Sequence, residues 1–437
     1  MIIPSQLLAN QTSDPLSLAF DRLAPSGPMM DLRTGQPAPL PEWASFWSGA
    51  EPLGAYINIP FCQTFCQFCG FFKVKPKPSQ LEDYIRALTI EIANQGRLIS
   101  GLGLKLSAVY IGGGTPSVLT APLIDRLFSA INKNLPLKPY CEITFEARLS
   151  TLDRPKLLAI FGGGTNRLSV GIQSFNTDVR QQAGRLDRHE EVCEKLTKTI
   201  EINPGLTVLD LIYGLPGQSL EIFGQDLALA AQSQAQGMAF YLLKPIPGSN
   251  WHREVKNGLR PPLEGPEHLS KYYRLAVEHL TAAGLERIST NHFRRPSGDR
   301  NIYNHLSAGR HSIFALGAGS GGVHRGAHYF NTREVESYVE KILSGSEAVS
   351  TFHPAKPNYE ILNNLSRQVQ SGLINLERLE LSEALRERLS ALLNQYRTCG
   401  LMQPAQGGLA LTLAGYFWSP NIEYALRSLT DQDSKEK

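Results

Sequence analysis

The stretch Tyr56-Ile-Asn-Ile-Pro-Phe-Cys62-Gln-Thr-Phe-Cys66-Gln-Phe-Cys69-Gly-Phe-Phe72 places three cysteines in a C-x3-C-x2-C spacing, directly after a short alternating apolar run. Such a run reads as a strand, so the cysteines sit on the loop that leaves it. Three thiolates within eight residues suit three irons of a [4Fe–4S] cluster, because sulfur is the soft donor that iron–sulfur chemistry requires. Three protein ligands leave the fourth iron open, and an open iron can chelate a small molecule and pass it an electron. A structural zinc site would instead ask for four N/S ligands, usually from paired cysteine motifs. Cys141, Cys193 and Cys399 stand alone, which suggests neither a partner pair nor a disulfide framework.

Working outward from the cysteines, apolar β-branched runs alternate with amphipathic ones. Strands are expected at 55–59, 107–112, 142–146, 167–173, 207–213 and 238–243, and helices at 80–100, 121–134, 154–161, 188–202 and 219–236. Ser79 followed by Glu82 reads as a capping box for the first of these helices. Strands this apolar belong to a parallel sheet covered on both faces. Six β/α units with short connections predict an α/β fold with an open, TIM-like (β/α)6 barrel. Residues 1–50, rich in Pro, Ser and Gly, read as an N-terminal leader that wraps the barrel. The barrel and a substrate-binding extension span 51–345, and 346–437 form a small helical or winged-helix-like module. That module carries charges of both signs and no basic stripe over 379–396, so a packing lid fits it better than a DNA reader.

Gly112-Gly113-Gly114-Thr115-Pro116 follows a strand and precedes a helix, where consecutive glycines expose N–H groups and let backbone approach a ligand. Gly162-Gly163-Gly164-Thr165 follows a helix and precedes a strand, and so belongs to the opposite face as a structural turn. Glu146 and Gln173 end strands and Asp210 lies within one. Polar groups at the C-terminal ends of barrel strands are natural partners for ribose hydroxyls and an α-amino group. Arg185 suits a ligand carboxylate.

The combination of Tyr56, Cys62/Cys66/Cys69, Gly112–Pro116, Gly171-Ile-Gln173-Ser-Phe175 and Asp210-Leu-Ile-Tyr-Gly-Leu-Pro-Gly217 resembles the radical S-adenosylmethionine (SAM) enzymes over roughly residues 50–345, and within them the coproporphyrinogen dehydrogenase-like branch. The resemblance implies a [4Fe–4S] cluster on Cys62, Cys66 and Cys69 and two SAM molecules. The first would contact Tyr56, Gly113 and Glu146. The second would contact Phe68, Gly114, Thr115, Gln173, Arg185 and Asp210. It also implies a flavodoxin- or ferredoxin-type electron donor. Where coproporphyrinogen dehydrogenases usually show a further cysteine and an Asn, and heme chaperones an Asp, this chain ends the motif Cys69-Gly-Phe-Phe. That ending is similar to the anaerobic heme-degrading radical SAM methyltransferases (anaerobilin synthase type), which open the porphyrin to a linear tetrapyrrole. Ser289-Thr-Asn-His-Phe-Arg-Arg-Pro-Ser-Gly-Asp-Arg-Asn-Ile-Tyr-Asn304 and Gly317-Ala-Gly-Ser-Gly-Gly322 resemble segments of the same group. The implied substrate is a heme or porphyrin; oxidative decarboxylation of coproporphyrinogen III and heme carriage are the rival readings. The branch usually has His before the first cysteine, and this chain has Asn58.

A porphyrin substrate directs attention to Arg294, Arg295 and Arg300, whose planar guanidinium groups could pair with two propionates. His292 is the candidate catalytic proton donor or iron ligand. With 42% hydrophobic and 19% charged residues and a net charge of +3, the composition gives no argument for nucleic acid or an anionic membrane. No signal peptide or apolar run of membrane-spanning length is read, so a cytoplasmic location is expected.

Overall fold

The computed structural model describes residues 5–24, 37–244 and 246–433; residues 1–4 and 25–36 of the expected leader, Pro245, and residues 434–437 of the expected C-terminal module lie outside the described residues. Two short helices, α1 (Pro15–Leu18) and α2 (Trp43–Trp47), precede β1 (Leu53–Ile59), the strand that carries the cysteine loop. The chain continues through α3 (Pro78–Gly101), β2 (Leu106–Gly113), α4 (Ala121–Asn134), β3 (Leu137–Ala147), α5 (Arg154–Gly162), β4 (Arg167–Gln173), α6 (Thr177–Gln182), α7 (His189–Ile202), β5 (Leu206–Tyr213), α8 (Leu220–Gln232) and β6 (Gly237–Leu242). β1 to β6 pair in chain order, all parallel, as the alternation predicts. Their side chains are buried on both faces, and the helices bury one stripe each. In α4 that stripe is Leu123, Ile124, Leu127, Phe128 and Ile131, the spacing of a single helical face. The capping box at Ser79 does not form. α3 begins two residues earlier, with Lys77 at its N-cap and Pro78 in its first turn, where a missing N–H costs nothing.

After α9 (Asn250–Lys256) and α10 (Pro266–Ala282) the chain returns to the sheet at both edges. β7 (Glu286–Arg287) and β8 (His292–Arg294) add antiparallel strands beside β6. α11 (Ile302–Ala308) follows, and then β9 (Ser312–Leu316), which pairs parallel with β1. β9 is a seventh parallel strand, one more than the sequence pattern indicates. β10 (Gly321–His324), β11 (Ala327–Asn331) and β12 (Val349–His353) extend this edge antiparallel, with α12 (Val335–Leu343) between the last two.

The segment between β8 and α11 closes the N-terminal end of the barrel. Arg167, buried at the start of β4, donates through Nε and Nη2 to Asp299 at 2.8 and 2.9 Å and through Nη2 to Asn301 Oδ1 at 3.1 Å. Glu142 accepts from the first N–H groups of α11, those of Ile302 and Tyr303, and a carboxylate suits that positive helix end. The Tyr303 ring then packs 4.5 Å from Tyr110 and 6.1 Å from Tyr56, centroid to centroid.

The remaining elements are α13 (Tyr359–Ser371), β13 (Leu373–Ile374), α14 (Glu383–Thr398), the hairpin β14 (Met402–Ala405) and β15 (Gly408–Leu411), α15 (Leu413–Phe417) and α16 (Ser419–Asp433). Helices with a small three-stranded antiparallel sheet give the winged-helix-like form expected. The leader is laced to this module: Trp418 Nε1 donates to the carbonyls of Pro15 and Leu16, and Tyr396 donates to Leu7 O. Ala24 N–H donates to Asn421 Oδ1 at 2.9 Å, while Asn421 Nδ2 donates to Arg22 O at 2.9 Å. Among the described residues no helix is long and apolar enough to cross a membrane.

Candidate cluster and cofactor site

The cysteine loop is fixed by its backbone. Cys62 N–H donates to Val74 O and Val74 N–H to Pro60 O, so the loop leaves and returns over one rung. Gln67 N–H donates to Ala183 O, and Trp251 N–H to Gln67 O. The glycine turn after β2 docks against the loop through Gly114 N–H to Ile59 O at 2.9 Å and Thr115 N–H to Phe61 O at 2.8 Å. Gly113 has φ +115°, which glycine adopts without strain. A Cβ on Gly114 would stand 2.6 Å from Phe61 O and 2.8 Å from Phe61 N. Backbone cannot rotate away from such a contact, so Gly114→Ala is expected to destabilise the protein by about 1–3 kcal/mol and to lower iron loading, read by thermal melting and iron assay. Unchanged melting and full loading would contradict this close docking.

The three thiols face one cavity of about 570 Å3, a volume typical of ligand pockets. Its lining includes all nine residues expected to contact SAM: Tyr56, Phe68, Gly113, Gly114, Thr115, Glu146, Gln173, Arg185 and Asp210. Among the described residues no three His, Cys, Asp or Glu side chains gather as ligands of a single ion; ligands of a cuboid cluster each hold a different iron and need not meet at one point. Burial holds the Cys62 thiol above its ordinary pKa, opposed by the 3.4 Å contact with Thr115 Oγ1. The donor set therefore fits an iron–sulfur cluster beside an open cavity.

Two half-buried carboxyl groups face this space. Glu146 accepts from Tyr110 Oη at 2.6 Å and Gly113 N–H at 3.2 Å, and burial raises its pKa to about 7. Asp210 accepts from Ser169 Oγ at 2.7 Å and is raised by burial to about 6. Gln173 sits at φ +71° at the end of β4, a conformation that costs a non-glycine residue energy and that recurs at binding sites. Arg185 is buried and donates from Nη1 to Gly171 O, while its Nε has no protein partner. Arg148, which the sequence reading missed, is likewise buried, reaches Thr64 Oγ1 at 2.7 Å, and has a partnerless Nε. Its position two residues after Glu146 was the signal available. Asn58 lines the same cavity and donates from Nδ2 to Ala318 O at 2.6 Å, so it anchors the glycine-rich 317–322 loop.

A second cavity of about 550 Å3 adjoins the first and shares Phe68, Phe71, Glu146, Gln173 and Asp210 with it. Aromatic groups dominate its walls: Tyr213, Phe240, Tyr241, Tyr273, Tyr416 and Phe417. Leu23 and Ala24 of the leader and Ser419 and Pro420 of the C-terminal module complete it.

The residues expected to meet substrate are not gathered there. Arg294 pairs with Glu286, Arg295 donates to the carbonyls of Ala231 and Ala235, and Arg300 donates to Tyr140 O. Arg294 lies opposite Gly237, the first residue of β6, which puts this cluster at the N-terminal end of the barrel, away from the cysteines. β8 runs antiparallel to β6 and carries the arginines down to that end. His292 is buried behind Tyr241, with Tyr241 Oη 3.0 Å from Nε2 and Ser289 Oγ 3.0 Å from Nδ1. Burial lowers its pKa to about 3, so the ring is neutral and reaches the second cavity through Tyr241.

Residues 56–230 match the model of the radical SAM superfamily. The chain is 32% identical over 375 residues to the anaerobilin synthase of Escherichia coli O157:H7, covering 86% of this chain and 83% of that protein. It is 29% identical over 290 residues to the heme chaperone HemW of Bacillus subtilis, covering 66% of this chain and 75% of that protein. Its fold superimposes on coproporphyrinogen III oxidase (HemN) from Escherichia coli with a TM-score of 0.76, at 22% identity, over 93% of this chain and 99% of that one. With the cysteine loop, glycine cradle and strand-end carboxylates on one cavity, these likenesses lead to one assignment: the chain belongs to the radical SAM superfamily, in its HemN-like branch.

Proposed function

We propose that this chain degrades heme anaerobically, opening the porphyrin ring by carbon transfer from a second SAM and releasing iron. The observation that carries this reading is the likeness to anaerobilin synthase, which runs through 86% of the chain and includes the regions flanking the superfamily domain. The adjoining cavities support it, since one suits a nucleoside ligand beside the cysteines and the other a large apolar ligand. Bound together, the cluster and SAM would supply a deoxyadenosyl radical after one-electron reduction by a flavodoxin- or ferredoxin-type donor. The protein's part is to bind, orient and exclude water. Tyr56, Gly113 and Glu146 would hold the first SAM, with Glu146 as acceptor for its amino group. Gln173 and Asp210, which line both cavities, hold the second beside Phe68, Gly114, Thr115 and Arg185.

The Glu146 carboxyl gives a pH signature. Glu146, with its pKa raised to about 7, is neutral below that pH and charged above it, and the charged form attracts the cationic SAM. SAM binding measured by calorimetry is expected to tighten roughly tenfold from pH 6 to pH 8, and Glu146→Gln is expected to flatten that dependence. A flat profile in the wild type would remove Glu146 from the contact set.

The function is tested by reconstituting the cluster anaerobically and adding dithionite, SAM and hemin. Formation of 5′-deoxyadenosine and S-adenosylhomocysteine with loss of the porphyrin band is the expected result. Stoichiometric hemin binding with the band intact would assign the protein to heme carriage instead, a reading the HemW likeness favours. Turnover of coproporphyrinogen III without S-adenosylhomocysteine would assign it to oxidative decarboxylation.

A further inference from the structure

Beyond the aromatic cavity lies a third, of about 410 Å3, which shares Tyr241, Lys244, Thr290, Asn291, Ser419 and Pro420 with it. Its character differs. Apart from the shared residues, its walls include Ser289, Asn304, Ser307 and Gln370, with His305 and the neutral His292. Among the described residues its lining includes the cationic side chains of Lys244 and Arg310, and Glu423 stands 3.7 Å from Arg310. Lys244 marks the boundary. Its side chain is open to the cavities yet deep enough in the protein that burial lowers its ammonium pKa, and the polar chamber begins beside it.

A ligand that fills both chambers has a wide apolar body and an anionic edge. Aromatic walls favour a flat ring system, and a lysine in a partly desolvated setting strengthens a charge-assisted bond to a carboxylate. Resting on the heme-degrading reading above, we propose that the second and third cavities form one bipartite substrate site. In it the macrocycle lies among the aromatic rings and its carboxylate edge points to Lys244 and the polar chamber, away from the cysteine loop. This orientation turns the edge opposite the carboxylates toward Gln173 and Asp210. It also leaves the arginines of β8 and the following segment as structural ties rather than substrate contacts.

The test compares hemin with its dimethyl ester, which keeps the ring and loses both charges. Each is titrated by absorbance into the cluster-loaded protein, anaerobically and at one detergent concentration. The wild type is expected to bind hemin at least about tenfold more tightly than the diester. Lys244→Met is expected to remove most of that preference while leaving diester affinity unchanged, which also reports that the variant is folded. Arg300→Met is expected to keep the preference. Equal affinity of the wild type for both ligands, or parallel weakening of both by Lys244→Met, would overturn the orientation while leaving the heme reading standing. Loss of the preference in Arg300→Met would return the carboxylates to the arginine cluster. Failure of the wild type to bind either ligand would defeat the heme reading itself.

Discussion

Cys66→Ala is expected to yield a folded protein that holds almost no iron and cleaves no SAM. The loop around Cys66 is held by main-chain bonds, Gln67 N–H to Ala183 O at 3.1 Å and Cys69 N–H to Cys66 O at 3.3 Å, and none of them needs the thiol. Removing one sulfur therefore spares the fold but leaves two ligands for a cluster that needs three. Iron and sulfide assays after anaerobic reconstitution, the visible absorption of the cluster, and 5′-deoxyadenosine formation should all fall to background together, while far-ultraviolet circular dichroism stays unchanged. Cys141→Ala provides the contrast. Burial pushes the Cys141 thiol up to about 12, so it remains protonated and is a poor ligand, and its loss should leave iron content as in the wild type. Iron retained at wild-type levels in Cys66→Ala would defeat the cluster assignment.

The largest effect on stability is expected from Arg167→Met. Arg167 and Asp299 are 2% and 1% exposed and form a two-pronged ion pair. Removing one partner strands the other charge in the interior, at a cost of about 3–5 kcal/mol and a fall of roughly 3–5 °C in the melting midpoint. The pH dependence follows from Asp299. Burial by itself would raise this carboxyl, but the bonds and charge of Arg167 hold it below its ordinary value. A group depressed in the folded state contributes its full stability above its unfolded pKa, about 4, and loses it as pH falls through the folded value. The gap between wild type and variant should thus be widest near neutrality and narrow below about pH 4. A gap that widens on acidification would show that the pair does not carry the difference. Replacing both partners with apolar residues should recover part of the loss.

The barrel strands were legible because each is a buried run with its own apolar pattern. β4 was read at 167–173 and forms at Arg167–Gln173, and α4 likewise matches residue for residue. β9 was missed for the opposite reason. It is five residues long, follows a stretch rich in His, Arg and Asn, and pairs with β1, some 250 residues earlier. Nothing local distinguishes it from a loop. The site shows the same division. Residues on strand ends and on the loops beside them came together as expected, because in a parallel barrel all those ends lie on one face. The arginines of 294–300 were misplaced because their chemistry was visible and the reversal of β8 was not. Lys244 and Tyr241 went unremarked because a lone lysine and a strand tyrosine acquire meaning only when the C-terminal module is packed against them.

The lacing of the leader to the C-terminal module also sets an order of events during synthesis. Cys62–Cys69 leave the ribosome before the C-terminal module, and the barrel can form around them. The aromatic chamber lacks a wall until Tyr416, Phe417 and Pro420 arrive, roughly 350 residues later, or about 20–70 s at ordinary elongation rates. Ribosome-bound chains that end before residue 400 should therefore expose the cysteine loop for metal loading while the aromatic chamber still lacks the wall formed by Tyr416, Phe417 and Pro420. The aromatic chamber gains its full wall only when the segment at Leu23 and Ala24 meets residues 416–420, so the docking of these two segments decides when the cavity is enclosed.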